Sequence, residues 1–173
     1  SDIERKVIVK TIDSLKEQLA ELDKEEANVQ TNREKGIKRK EKCLKALREI
    51  YNYYCKQHCK IGVYTTFDNI KKELDVLSLG EFSFIVRDFG LLKNRQDKTK
   101  IAEIFKKSSA SNKELNFEEF QKALEKLASQ FFSADHTHRN DAERIEAFFE
   151  FMGLHNGTFR NKLRNVNVAF HTM

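Results

Sequence analysis

Proline is missing from all 173 positions and glycine occupies only six. The residues that usually break helices are therefore nearly absent, as are those that form tight hairpin turns, which disfavours a turn-rich β fold and predicts an all-α chain. Cysteine is scarce as well. Three thiols cannot all pair with one another, which predicts free thiols in a reducing compartment instead of a disulfide framework. No run approaches the ~18 consecutive apolar residues of a membrane span. The opening Ser1-Asp2-Ile3-Glu4-Arg5-Lys6 does not build a signal-peptide core, so a cytoplasmic setting is expected. A chain that opens without methionine is expected to be a fragment or trimmed form of a longer protein. A glycine-rich phosphate loop, a GxSxG elbow and an HExxH pair are all lacking, and Asp88-Phe89-Gly90 copies a kinase triplet without its partner motifs. These absences predict a protein that is not an enzyme and needs no cofactor.

The sequence is highly charged, at 34% Asp, Glu, Lys and Arg, with a mean hydropathy of −0.66. Yet it carries 14 phenylalanines and 4 tyrosines, enough for a packed core and too many for a disordered chain. Ile8, Ile12, Leu15, Leu19 and Leu22 recur at steps of four and three, the seam of a heptad helix that could pair with a protein partner. The pattern thins around Gly36 and resumes at Leu44, Leu47, Tyr51 and Tyr54. One long helix from about Ile3 to His58, its first half a coiled-coil arm, is preferred over a hairpin bent near Gly36. Residues 1–60 are thus read as the arm, 61–130 as a helical domain, and 131–173 as a C-terminal helical segment with a basic tail. The Gly62 to Thr66 stretch links arm and domain, with Thr66 capping a helix over Phe67, Ile70 and Leu74. A further helix is expected from Asp141 to about Met152, and a short basic one at Thr158 to Arg164.

Positive charge collects in two zones. Between Arg33 and Arg48 lie eight basic residues against two glutamates, including Arg33, Lys35, Lys38, Arg39, Lys40 and Lys42. Past Glu150 no acid occurs, while Arg160, Lys162 and Arg164 add three cations. Such zones fit a polyanion: nucleic acid, an acidic membrane face or an acidic protein surface. The plainer alternative is a solvated helix face.

Leu77-Ser78-Leu79-Gly80-Glu81-Phe82 and Leu115-Asn116-Phe117-Glu118-Glu119-Phe120 share one pattern at an offset of 38 residues. Helix, polar loop, aliphatic residue, then Glu-Phe opening another helix is the order of an EF-hand. There the aliphatic residue bridges paired loops and the glutamate chelates calcium through both oxygens. With Ser108 at the first place of a twelve-residue loop, Leu115 and Glu119 fall at the eighth and twelfth. The third, fifth and sixth places hold Ala110, Asn112 and Lys113, so only Ser108, Asn112 and Glu119 remain as calcium candidates. A hard dication wants six to eight oxygens, and a calcium-independent pair is expected.

The run Phe82-Ser83-Phe84-Ile85-Val86-Arg87-Asp88-Phe89-Gly90, then Ile104-Phe105-Lys106-Lys107, then Leu115 to Ala128 resembles the degenerate EF-hand pair of the tubulin polymerization-promoting protein family and related ciliary and flagellar modules. The likeness spans about Tyr64 to Ser129. It implies a degenerate helix-loop-helix pair, a cytoskeletal or ciliary location, and tubulin or another acidic surface as partner.

Cys55, His58 and Cys59, with His136 and His138, could supply soft-metal ligands, but no paired CxxC supports a zinc site. Phe82, Phe84, Phe89, Phe105, Phe117 and Phe120 are expected in the core of the pair. Phe148, Phe149 and Phe151 either fill its groove from within the chain, which is preferred, or present an apolar face to a partner. The sequence therefore predicts a structural or scaffolding interaction module in a microtubule-based assembly. The alternatives are a calcium-responsive regulator and a basic helical nucleic-acid binder.

Overall fold

Helix α1 runs without interruption from Asp2 to Cys55 and passes through Gly36, so the hairpin alternative does not occur. A glycine inside an exposed helix costs only about 1 kcal/mol relative to alanine, too little to break one that lacks proline throughout. A Cβ at Gly36 would meet nothing within 4 Å. The computed structural model describes residues 1–57, 75–92, 98–132 and 140–164. The expected linker at Gly62 to Thr66 and the helix over Phe67 to Leu74 lie outside them.

Two compact units divide the chain, residues 1–41 and 42–173. In the first, helical throughout after Ser1, every residue is exposed. In the second, α1 contributes a buried stripe of Cys43, Ala46, Leu47, Ile50, Tyr51, Tyr54 and Cys55. Leu44, expected on that stripe, is instead 45% exposed. At 100° per residue it stands within about 20° of Tyr51 and Cys55, both buried, so that line of the helix is open at Leu44 and covered from Tyr51 onward.

The remaining described elements are β1 (Leu77–Ser78), α2 (Leu79–Asp88), α3 (Lys98–Ser108), β2 (Glu114–Leu115), α4 (Phe117–Phe131), α5 (Asp141–Met152) and a 3₁₀ turn at Thr158–Lys162. The class is all-α, as the missing proline and scarce glycine predict. The two strands pair antiparallel with Leu77 opposite Leu115, which ties the starts of α2 and α4 together through one short ladder. Helix α2 packs on α3, and α4 packs on both α3 and α5.

Phe82, Phe105, Phe120, Phe148 and Phe159 fill the interior with Tyr54, Leu47 and Ile50 of α1. The Tyr51 hydroxyl lies 2.8 Å from the Asp75 carbonyl oxygen and 2.9 Å from that of Leu115. Its single proton serves either acceptor; Leu115 is itself a ladder residue, and Asp75 stands two residues before β1. Gly153 ends α5 in the left-handed conformation at φ 81°. A Cβ there would come within 2.3 Å of Thr158 Oγ1 and 2.7 Å of the Phe159 amide nitrogen, so the turn that folds Phe159 into the core accepts no side chain.

Candidate functional site

The 38-residue repeat turns out to be a pair of identical helix starts. Ser78 and Asn116 are the N-caps of α2 and α4, and each accepts from the amide of the glutamate three residues on. Glu81 and Glu119 in turn accept from the amides of Ser78 and Asn116, both at 2.9 Å. Two reciprocal capping boxes result. Leu77 and Leu115 precede the caps, and Phe82 and Phe120 stand at the fourth helical position; all four are fully buried, the hydrophobic-staple arrangement.

Glu119, the residue at the chelating twelfth place, does more than cap. Its Oε1 takes the Asn116 amide and its Oε2 takes the Ala110 amide, so one carboxylate draws both ends of the loop together. Ser109 Oγ donates to the Glu114 carbonyl and the Lys113 amide donates to Ser111 Oγ. The left-handed residue is Asn112, at φ 60°, one place before the position where glycine would be expected; asparagine tolerates that conformation. Ser108 is buried, and its Oγ has no hydrogen-bond partner among the described residues. Among the described residues no cluster of three or more His, Cys, Asp or Glu could hold a metal. The Glu119 carboxylate is thus met by amides of the loop's own backbone. Replacing Glu119 with alanine strips both amides of their acceptor, and a loss of about 1–2 kcal/mol in urea unfolding is expected.

The aromatic residues of α5 divide by face. Phe148 is fully buried and meets Phe131 of α4 edge to face at 5.8 Å. Phe149 is half-buried against the core, and Phe151 is 43% exposed, tilted against Phe131 at 5.2 Å. Of the phenylalanines assigned to the core of the pair, Phe82, Phe89, Phe105 and Phe120 are buried, while Phe84 and Phe117 are partly so.

The C-terminal cations are engaged within the chain. Arg160 makes a bidentate pair with Glu49 at 3.0 and 3.1 Å. Lys162 Nζ donates to the Phe151 carbonyl at 2.6 Å and lies 4.7 Å from the centre of its ring. Arg164 is bidentate to Asp88, both bonds 3.2 Å, and its guanidinium sits 3.9 Å over Phe84. The Tyr54 hydroxyl donates to Asp88 at 2.7 Å and accepts the Arg164 amide at 3.1 Å, while Tyr53 donates to the Arg164 carbonyl. The Arg160 side chain keeps 62% of its surface exposed and that of Arg164 36%. No local signal could have paired them, because their acids lie 111 and 76 residues away. Arg33, Lys35, Lys38, Arg39, Lys40 and Lys42 of α1 are all exposed, as are Ile8, Ile12, Leu15, Leu19 and Leu22.

Of the proposed zinc ligands, Cys55 is buried, while His58, Cys59, His136 and His138 lie outside the described residues. Burial first, then the nearby Glu81 carboxylate, pushes the Cys55 thiol up to about 12. It is a protonated packing group, and thiolate is the form that ligates or reacts. In the native protein at pH 8 Cys55 is expected to resist iodoacetamide, and to react once urea unfolds the chain, as peptide mass spectrometry would read. Burial also raises Tyr51 and Tyr54. A group held protonated by the fold stabilises it fully below its unfolded value. Stability is therefore expected to decline as pH rises from 9, the ordinary thiol value, toward 12.

Among the described residues no helix is long and apolar enough to cross a membrane. No curated protein and no solved structure matches the chain. The family model p25-alpha, that of the tubulin polymerization-promoting proteins, matches residues 60–172, extending the likeness past α4 through α5 and the 3₁₀ turn. This family is non-enzymatic and linked to tubulin and microtubules. With well over half of its length matched, the chain belongs to the p25-alpha family.

Proposed function

We propose that this chain is a calcium-independent scaffolding module of a microtubule-based assembly such as a cilium or axoneme. The observation that carries the calcium-independent part is the Glu119 carboxylate bonded to the amides of Ala110 and Asn116. A chelating glutamate must turn both oxygens toward the ion together with several other oxygen donors. Here both oxygens are committed to the backbone, and Ala110 and Lys113 supply no side-chain oxygen. The packing of Phe148 beneath α4 supports the same reading, since it occupies apolar surface that a calcium-opened pair would expose to a target.

Family membership supports tubulin as the partner. With Arg160 and Arg164 paired to Glu49 and Asp88, the exposed cations from Arg33 to Lys42 are the basic residues suited to an acidic lattice. Co-sedimentation with microtubules tests the proposal. Binding should weaken as salt rises, because exposed charge pairs are screened within about 10 Å at 0.1 M. It should be the same in calcium and in chelator. Binding that needs micromolar calcium and is lost in Glu119→Ala would replace the scaffold with a sensor. Retention on RNA or DNA with none on microtubules would replace it with a nucleic-acid binder.

A further inference from the structure

The seam Ile8, Ile12, Leu15, Leu19 and Leu22 stays 46–60% exposed, and every residue of the unit 1–41 is exposed. A helix without tertiary support is held only by its own hydrogen bonds and side-chain pairs, and it gains little from apolar groups left in water. From these residues we infer that the segment Glu4 to Glu25 pairs with the same segment of a second copy of this chain, as a parallel, in-register, two-stranded coiled coil.

The choice of a second copy and of its direction comes from the layers. In heptad register Ile12 and Leu19 take the a positions, and Ile8, Leu15 and Leu22 take the d positions. In a parallel pair each layer faces its own copy, giving five consecutive apolar layers, with Arg5 and Glu26 outside them at either end. An antiparallel pair sets a against d. Bringing Leu15 opposite Leu19 then places Ile8 against Glu26, and bringing Ile12 opposite Leu15 places Leu22 against Arg5. Either way the seam shortens to four layers and faces a charge.

The flanks agree. In the parallel pair Thr11 stands beside Lys16 of the other copy, and Gln18 beside Asp23, so no like charges meet. Three of the five seam residues, Ile12 at a with Leu15 and Leu22 at d, follow the two-stranded preference, while Leu19 at a and Ile8 at d follow that of larger bundles, so the measured mass decides the strand number. Glu26, Arg33 and Lys40 at successive a positions stop the seam from continuing.

Light-scattering mass on the complete chain tests the inference, together with two variants. The native chain should run at twice its monomer mass. Leu15→Glu/Leu19→Glu should run at the monomer mass while its thermal unfolding stays cooperative. With Cys59 replaced by serine in both chains, Ile8→Cys should form a covalent dimer under mild oxidation that the parent, with Cys43 and Cys55 buried, does not form. A native mass of one chain, or of three or more, overturns the proposal. So does a double variant that remains a dimer, or an Ile8→Cys dimer with no additional cross-link.

Discussion

A chain cut to begin at residue 60, where the family match starts, is expected to lose its cooperative fold, whereas one beginning at residue 42 keeps it. The cut at 60 discards Leu47, Ile50, Tyr51 and Tyr54, all buried to 2% exposure or less. Burial of side chains of this size is worth about 1.5–3 kcal/mol each. Four of them approach the whole net stability of a typical domain, about 5–15 kcal/mol. The cut also deletes the Tyr51 hydroxyl beside the Asp75 and Leu115 carbonyls and the Tyr54 hydroxyl that Asp88 accepts from. Removing residues 1–41 takes away only exposed side chains. Circular-dichroism melting of the two truncations distinguishes them. A sharp transition in the residue-60 version, near that of the parent, would mean that α1 is dispensable to the core.

The second large effect lies in α5. Phe148→Ala is expected to cost about 3–5 kcal/mol, through lost burial and the cavity left beneath α4. For a domain of this size that lowers the melting temperature by roughly 10 °C. Phe151→Ala, three residues along the same helix, should cost no more than about 1 kcal/mol, because its ring is 43% exposed and mainly touches Phe131 and Lys162. Urea unfolding of both variants gives the comparison directly. Equal losses would contradict the division of the helix into a core face and an outer face, and with it the view that α5 belongs to the same core as α4.

What could be read in the sequence was local. The two capping boxes are visible as Ser78-x-x-Glu81 and Asn116-x-x-Glu119, each with a leucine before and a phenylalanine after, and they fix where α2 and α4 begin. The missing proline allows α1 to run unbroken through Gly36, and Gly153 marks the end of α5. The pairing of Leu77 with Leu115 was legible because the repeat itself aligns the two leucines.

Other features arise only when distant segments meet. Glu119 could be recognised as a loop-closing carboxylate, but spacing alone does not say whether an ion or the Ala110 amide faces it. Leu44 stands open although Tyr51 and Cys55 on its own line of α1 are buried, because the stretch of helix that is covered is set by what packs on it. The ion pairs of Arg160 and Arg164 convert a run of positive charge into internal contacts, through Glu49 and Asp88, that composition cannot reveal.

The fastening of Arg164 has a bearing on anything joined downstream of it. Its guanidinium is gripped by Asp88 and stacked on Phe84, and its backbone is held by Tyr53 and Tyr54. Residue 164 is therefore a mooring point beside the C-terminal end of α1. For a fluorophore, tag or ligand-binding sequence attached further along, tether length and effective local concentration are to be reckoned from that mooring. A distance measured to such a label reports on the α1 terminus as much as on the label itself.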